Sequence, residues 1–128
     1  MGNYKWHDKT FLVVEDDDIS YIFLQEIFED TGAQLIHAGT GRQAVNHFKA
    51  HPEIDLVIMD LQLPKLSGFD ATRQIKELNP GVPVIAQTAF AMKGDKQKAL
   101  DAGCDDYVTK PLDFDQFLEL IDKYLSGS

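Results

Sequence analysis

A single cysteine, Cys104, leaves no partner for an intramolecular disulfide and excludes an all-cysteine metal site. Such sparse thiol usage is read as a cytoplasmic chain. Long apolar runs are missing too, since none approaches the roughly 18 to 20 residues of a membrane-spanning helix. The opening MGNYKWHDKT has no apolar signal-peptide core. Lys5 and Trp6 stand where a myristoylation signal wants Ser or Thr. Basic residues are scarce, with 12 Lys plus Arg against 21 Asp plus Glu and a net charge of −9. A chain this acidic lacks the basic footprint of a nucleic-acid binder, so the expected partners are a cation and other proteins. The four histidines, His7, His37, His47 and His51, show no ligand spacing and are expected on the surface. What is present is enough apolar residue, 44% of 128, for the core of one domain.

Three continuous apolar runs, FLVV at 11–14, LVIM at 56–59 and VPVIA at 82–86, suit strands covered on both faces. Leu35-Ile36 and Tyr107-Val108 add two shorter strands. Segments of helical period lie between and after them. Ile19, Phe23 and Ile27 form a stripe widened by Ile22, Leu24 and Phe28. Ala44, Val45 and Phe48 form the next, then Ala71, Ile75 and Leu78, and finally Phe114, Phe117, Leu118, Ile121 and Leu125. Thr40 with Gln43 and Asp113 with Gln116 have capping-box spacing. Gly32 and Gly103 fall where the first and fourth helices should stop, and Asn79-Pro80-Gly81 closes the third. Five strands alternating with five helices across short connections predict a parallel sheet with helices on both faces. Residues 1–9, Trp6 included, read as a frayed leader, 10–125 as the domain and 126–128 as a frayed tail.

In an open parallel sheet, function collects beyond the carboxyl ends of the strands. The first strand ends in Glu15-Asp16-Asp17-Asp18, the third in Asp60, the fourth in Thr88, and the fifth leads into Lys110-Pro111. On its own the acidic run is equally a solvated turn, and Asp18 is expected to be one. If the first and third strands are neighbours, Glu15, Asp16 and Asp60 converge and repel unless a cation offsets them. Mg²⁺, which favours carboxylate oxygens and retains waters, suits the site, and Mn²⁺ could replace it. Lys110 before Pro111 predicts a rigid turn compatible with a cis bond. Together these carboxylates, a hydroxyl and a lysine can bind Mg²⁺ and a phosphoryl group.

At this point the chain resembles a response-regulator receiver domain of two-component signalling. The motifs are Leu12-Val13-Val14-Glu15-Asp16, the run from Asp55 through Asp60 to Pro64 with Gly68, Thr88-Ala89, and Asp106-Tyr107-Val108-Thr109-Lys110-Pro111. The resemblance implies a flavodoxin-like α/β fold with strand order 2-1-3-4-5. It makes Asp60 the acceptor of a phosphoryl group from a phosphohistidine. Glu15 and Asp16 become the acidic pair around Mg²⁺, with Asp16 the more direct ligand and the Gln62 carbonyl completing the set. Thr88 and Lys110 become the partners of the phosphoryl oxygens, and Tyr107 the aromatic switch residue. Glu15 stands where Asp is commoner, which does not read as inactivating. Gln62 and Phe90 occupy positions that influence hydrolysis of the acyl phosphate.

The resemblance further implies a phosphorelay switch rather than a conventional enzyme, with Mg²⁺-dependent autophosphorylation and autodephosphorylation at Asp60. Residues 87–95 and 102–107 are similar to receivers fused to hybrid histidine kinases, so the chain is expected to be a cytoplasmic fragment of such a protein, with a complete single-domain regulator as the alternative. The implied partners are a histidine kinase or histidine phosphotransfer domain, docking on Ile19, Ile22 and Phe23, and a second copy upon phosphorylation. No direct membrane contact is expected. Three other readings compete. A flavodoxin-like cofactor protein would want a glycine- and hydroxyl-rich phosphate loop where the four acids stand. A dehalogenase-type phosphatase would want an acid at Gln62. A degenerate receiver acting only as a docking module would not need Asp60, Asp16, Thr88 and Lys110 all intact.

Overall fold

The computed structural model describes residues 4–63, 66–89 and 94–126. Five strands, β1 (Thr10–Val14), β2 (Gln34–Ala38), β3 (Leu56–Asp60), β4 (Val84–Thr88) and β5 (Asp106–Thr109), alternate with helices α1 (Asp18–Glu29), α2 (Gly41–Ala50), α3 (Gly68–Leu78), α4 (Asp95–Ala102) and α5 (Phe114–Leu125). All pairings are parallel and the order is β2-β1-β3-β4-β5, as expected. This order explains the unequal apolar runs. The inner strands β1, β3 and β4 are covered on both faces and read as continuous hydrophobics, whereas β2 and β5 lie at the edges and are only partly buried.

Strand alternation sends residues to two cores. Leu12, Val14, Val57, Met59, Val84 and Ala86 pack with Val45 and Phe48 of α2, Ile75 of α3 and Ala99 of α4. Phe11, Val13, Ile58 and Ile85 pack on the other face with Leu24, Ile27 and Phe28 of α1 and Phe117, Leu118 and Ile121 of α5. Cys104 is buried in the first core, where loss of hydration pushes its thiol above the usual range.

The expected caps form. Thr40 Oγ1 accepts from Gln43 N at 3.0 Å and Asp113 Oδ1 from Gln116 N at 3.1 Å. Gly103 closes α4 with φ 111°, a left-handed backbone that favours glycine. The Lys110–Pro111 bond is cis.

Three sequence expectations need correction. The buried stripe of α1 is narrower than its six apolar residues: Leu24, Ile27 and Phe28 are buried, while Ile19, Ile22 and Phe23, the expected docking residues, are 78%, 53% and 41% exposed. The described part of the leader is packed rather than frayed. Trp6 is only 5% exposed and lies against Phe11 and Phe28, with Tyr4 stacked on it at 5.0 Å. The Trp6 backbone N–H donates to the Thr31 carbonyl at 2.7 Å, which ties the segment down before β1 begins. His37 is not a plain surface residue either. Its ring stacks on Tyr21 at 3.7 Å, and its Nε2 lies 2.8 Å from the Glu15 carbonyl. Phe90 and the end of the tail, residues 127–128, lie outside the described residues.

Candidate metal and phosphoryl site

The register of the sheet assembles the site. Val14 pairs with both Ala38 and Met59, so Glu15 and Asp60 leave neighbouring strands at the same level. Ligand oxygens of Glu15, Asp16 and Asp60 all lie within 4.8 Å of one another. Glu15 and Asp60 are buried and Asp16 is exposed, so the cluster opens to solvent on one side. The acid that follows has a structural task. Asp17 Oδ2 accepts from Ser20 N at 3.0 Å and from Ser20 Oγ at 2.7 Å, capping α1. Asp18, expected as a solvated turn or cap residue, is exposed in the first turn of α1, where its charge favours the helix dipole.

Lys110 enters from the β5 exit. Its backbone N–H donates to the Thr88 carbonyl at 2.8 Å. Its ammonium reaches Glu15 Oε1 at 2.8 Å and stands 3.9 Å from Asp60 Oδ2. Asp60 Oδ1 accepts from the Gln62 backbone N–H at 2.9 Å, while the Gln62 side chain is exposed. Burial pushes the Asp60 carboxyl up to about 7, with the hydrogen bond and the charge of Glu15 adding to the rise. The Gln62 amide and Lys110 oppose it without cancelling it. The Lys110 ammonium thus serves two of the three clustered carboxylates, Glu15 and Asp60, and the cluster keeps an excess of acidic groups. An all-oxygen donor set with excess negative charge fits a hard divalent cation such as Mg²⁺.

Thr88 is the buried last residue of β4, and Tyr107 lies one strand further out, opposite Ala86. The Tyr107 ring is partly buried against the core beneath α2 to α4, and burial together with Asp95 raises its hydroxyl above the usual range. The carboxylates and Lys110 are therefore in contact, Thr88 flanks them, and Tyr107 is outside the cluster.

Two neighbours of the cluster were not singled out from the sequence. His37 lies at the Glu15 carbonyl, across the edge strand, and nothing in its local sequence indicates that. Gln87 is fully buried beside Asp60, its Nε2 3.5 Å from Glu15 Oε1. Its one signal was a polar residue at a core position of a buried strand.

A sequence model of the response regulator receiver domain family matches residues 11–122. The polar-differentiation response regulator DivK of Brucella ovis is 36% identical over 122 residues, covering 94% of this chain and 98% of DivK. The receiver domain of a sensor histidine kinase from Pseudomonas aeruginosa, solved with magnesium in its active-site cleft, superposes with a TM-score of 0.85 at 31% identity, covering 94% of this chain and 98% of that one. The signal receiver domain of a histidine kinase from Syntrophus aciditrophicus gives 0.83 at 32% identity, covering 93% and 91%. The chain belongs to the response regulator receiver domain family.

The acidic cluster makes a direct prediction. Mg²⁺ at about ten times its dissociation constant should raise stability by about 1.4 kcal/mol, or roughly 5 °C in melting temperature for a domain this size. Asp16→Ala should remove most of that shift. A thermal titration in which both proteins respond equally would place the cation elsewhere.

Proposed function

We propose that the chain is a phosphorylation-dependent switch in which Asp60 accepts a phosphoryl group from a phosphohistidine. The observation that carries this reading is one buried carboxylate held between a backbone N–H and an ammonium, at the mouth of an all-oxygen cluster. An Asp60 oxygen attacks phosphorus in line, the O–P bond forms and the P–N bond breaks, and the electron pair leaves on the donor imidazole. Lys110, 3.9 Å from the carboxylate, turns to an equatorial oxygen and offsets its charge. Glu15 and Asp16, with Asp60 and the Gln62 carbonyl, are assigned as the Mg²⁺ set. Bound there, Mg²⁺ supplies further charge neutralisation of the transferred group. The mapped Mg²⁺ site of the Pseudomonas receiver supports the choice of metal.

The product acyl phosphate adds charge and acceptor oxygens at the end of β3. Thr88 is assigned to hydrogen-bond one of them, and Tyr107 to move into the space this opens, which carries the signal to the surface formed by α4, β5 and α5.

The donor is assigned to the exposed apolar patch beside the site. Ile19, Ile22 and Phe23 of α1 continue into Phe114 of α5, whose ring meets Phe23 edge-on at 5.1 Å. Apolar side chains left in water next to a reactive carboxylate suit a histidine phosphotransfer helix bundle or kinase helix pair. Ile22→Asp should therefore slow phosphotransfer from such a bundle at least about tenfold, since one buried isoleucine contributes about 1.5–3 kcal/mol. Labelling by acetyl phosphate should stay unchanged. Equal transfer by both proteins would remove α1 from the interface. The hybrid-kinase context is proposed on the same footing, and a kinase core encoded upstream in the gene tests it.

A further inference from the structure

Gln87 has no reason to be a glutamine if it only fills the core. In the register of the sheet it pairs with Asp60, on the face where Val13, Ile58 and Ile85 pack against α1 and α5. Its side chain is fully buried, and its Oε1 has no hydrogen-bond partner among the described residues. An unpaired buried carbonyl disfavours the folded state, and an apolar side chain of the same shape would avoid that cost. The other end of the amide is engaged, because Nε2 points to Glu15 Oε1 at 3.5 Å. Turning the amide over would set its oxygen against the carboxylate, so Glu15 dictates the orientation. A cavity of about 170 Å³, bounded by Glu15, Gln87, Lys110, Phe23, Leu24 and Leu112, separates this group from the helices.

We infer that Gln87 is a positioning residue that holds the Glu15 carboxylate toward the cation while Lys110 is engaged elsewhere. Glu15 Oε1 has two donors, the Lys110 ammonium at 2.8 Å and the Gln87 amide at 3.5 Å. Its Oε2 has one longer contact, from Asp17 N at 3.4 Å, and the hydrogen bond between the Asp60 carboxyl and Glu15 needs a proton on Asp60 that a group bound there displaces. When Lys110 turns to a group on Asp60, Oε1 keeps only the amide. Without the amide a buried carboxylate would be left unpaired on that side and free to rotate away from the cation. The inference rests on the phosphoryl-acceptor reading for the moment at which it matters most, but the contact itself acts on cation binding alone.

Gln87→Met, close in shape and apolar, separates this role from packing. It removes both the orphan carbonyl and the N–H on Glu15. The melting temperature without cation should stay level or rise. The Mn²⁺ dissociation constant, read by electron paramagnetic resonance, should increase by about fivefold, the size of one ordinary net hydrogen bond, because the 3.5 Å contact is long. Beryllofluoride binding in Mg²⁺ should weaken by a larger factor, because it draws Lys110 off Glu15. A lower melting temperature would assign Gln87 to packing and overturn the inference, as would Mn²⁺ affinity within twofold of wild type. If wild type binds Mn²⁺ and not beryllofluoride, the acceptor reading fails and the Gln87 inference is decided by the Mn²⁺ ratio. Gln87→Leu, apolar and one heavy atom shorter, should lose Mn²⁺ affinity to the same extent, and affinity within twofold of wild type would overturn the inference.

Discussion

Asp60→Asn is expected to abolish phosphoryl labelling by acetyl phosphate and, at pH 8 without divalent cation, to raise the melting temperature. The first effect follows from losing the attacking carboxylate. The second follows from its surroundings. Burial first, and then Glu15, push the Asp60 carboxyl up to about 7, far above its value in an unfolded chain. Between roughly pH 4 and pH 7 the folded protein therefore holds a proton that the unfolded chain has released. Stability from this group is complete below the unfolded value and is lost as pH rises through the folded one. Above that point a buried anion beside Glu15 opposes folding. The amide variant has no such titration and still offers an oxygen to the Gln62 N–H. Its advantage should vanish near pH 4 and reach several degrees at pH 8. Cation affinity of the wild type should climb about tenfold between pH 6 and pH 8 as the competing proton leaves. Persistent labelling of the variant would refute the acceptor assignment. A stability difference that does not change with pH would refute the electrostatic one.

Gly68→Ala is expected to damage fold and site together. Gly68 opens α3 directly against the exit of β3, and an added Cβ would collide with the Asp60 carbonyl and come within 2.7 Å of Leu61 Cα. These are backbone atoms of the segment that aims Asp60, so they cannot yield without moving the carboxylate. Overpacking of this kind costs about 1–3 kcal/mol, with the rigid partner placing Gly68 at the upper end. A displacement of about 1 Å at the reacting group costs up to about 10²-fold in rate. Gly81→Ala is the control, because its Cβ would meet only the Asn79 side chain at 3.4 Å. A melting temperature and labelling rate for Gly68→Ala equal to those of Gly81→Ala would show that the β3 exit adapts.

The fold was legible because its signals are local and redundant. Three buried runs, two capping pairs and the turn glycines all point to one alternating α/β chain. The acidic cluster was legible because strand ends in a parallel sheet meet at one edge. What failed was tertiary. Ile19, Ile22 and Phe23 recur at helical spacing whether they face a core or a partner, and spacing alone cannot say which. Leu24, Ile27 and Phe28 form the same pattern one step around the helix, and the sheet selected them. Trp6 sits in a short polar leader with no period. Its burial depends on Thr31 and Phe28, which only the folded chain brings to it. Gln87 lies inside β4, and its contact with Glu15 spans 72 residues of sequence.

The placement of Trp6 has an optical consequence. It is the only tryptophan in the chain and lies at the amino-terminal end of β1, in contact with Phe11, whereas the carboxylates follow the carboxyl-terminal end of the same strand. A five-residue strand separates them by about 13 Å at roughly 3.3 Å per residue. Indole emission in this protein therefore reports the integrity of the hydrophobic face beneath α1 and α5 and is blind to cation arrival. Fluorescence can follow unfolding of every variant without interference from the ligand, while ligand binding needs a probe seated at the other end of the sheet.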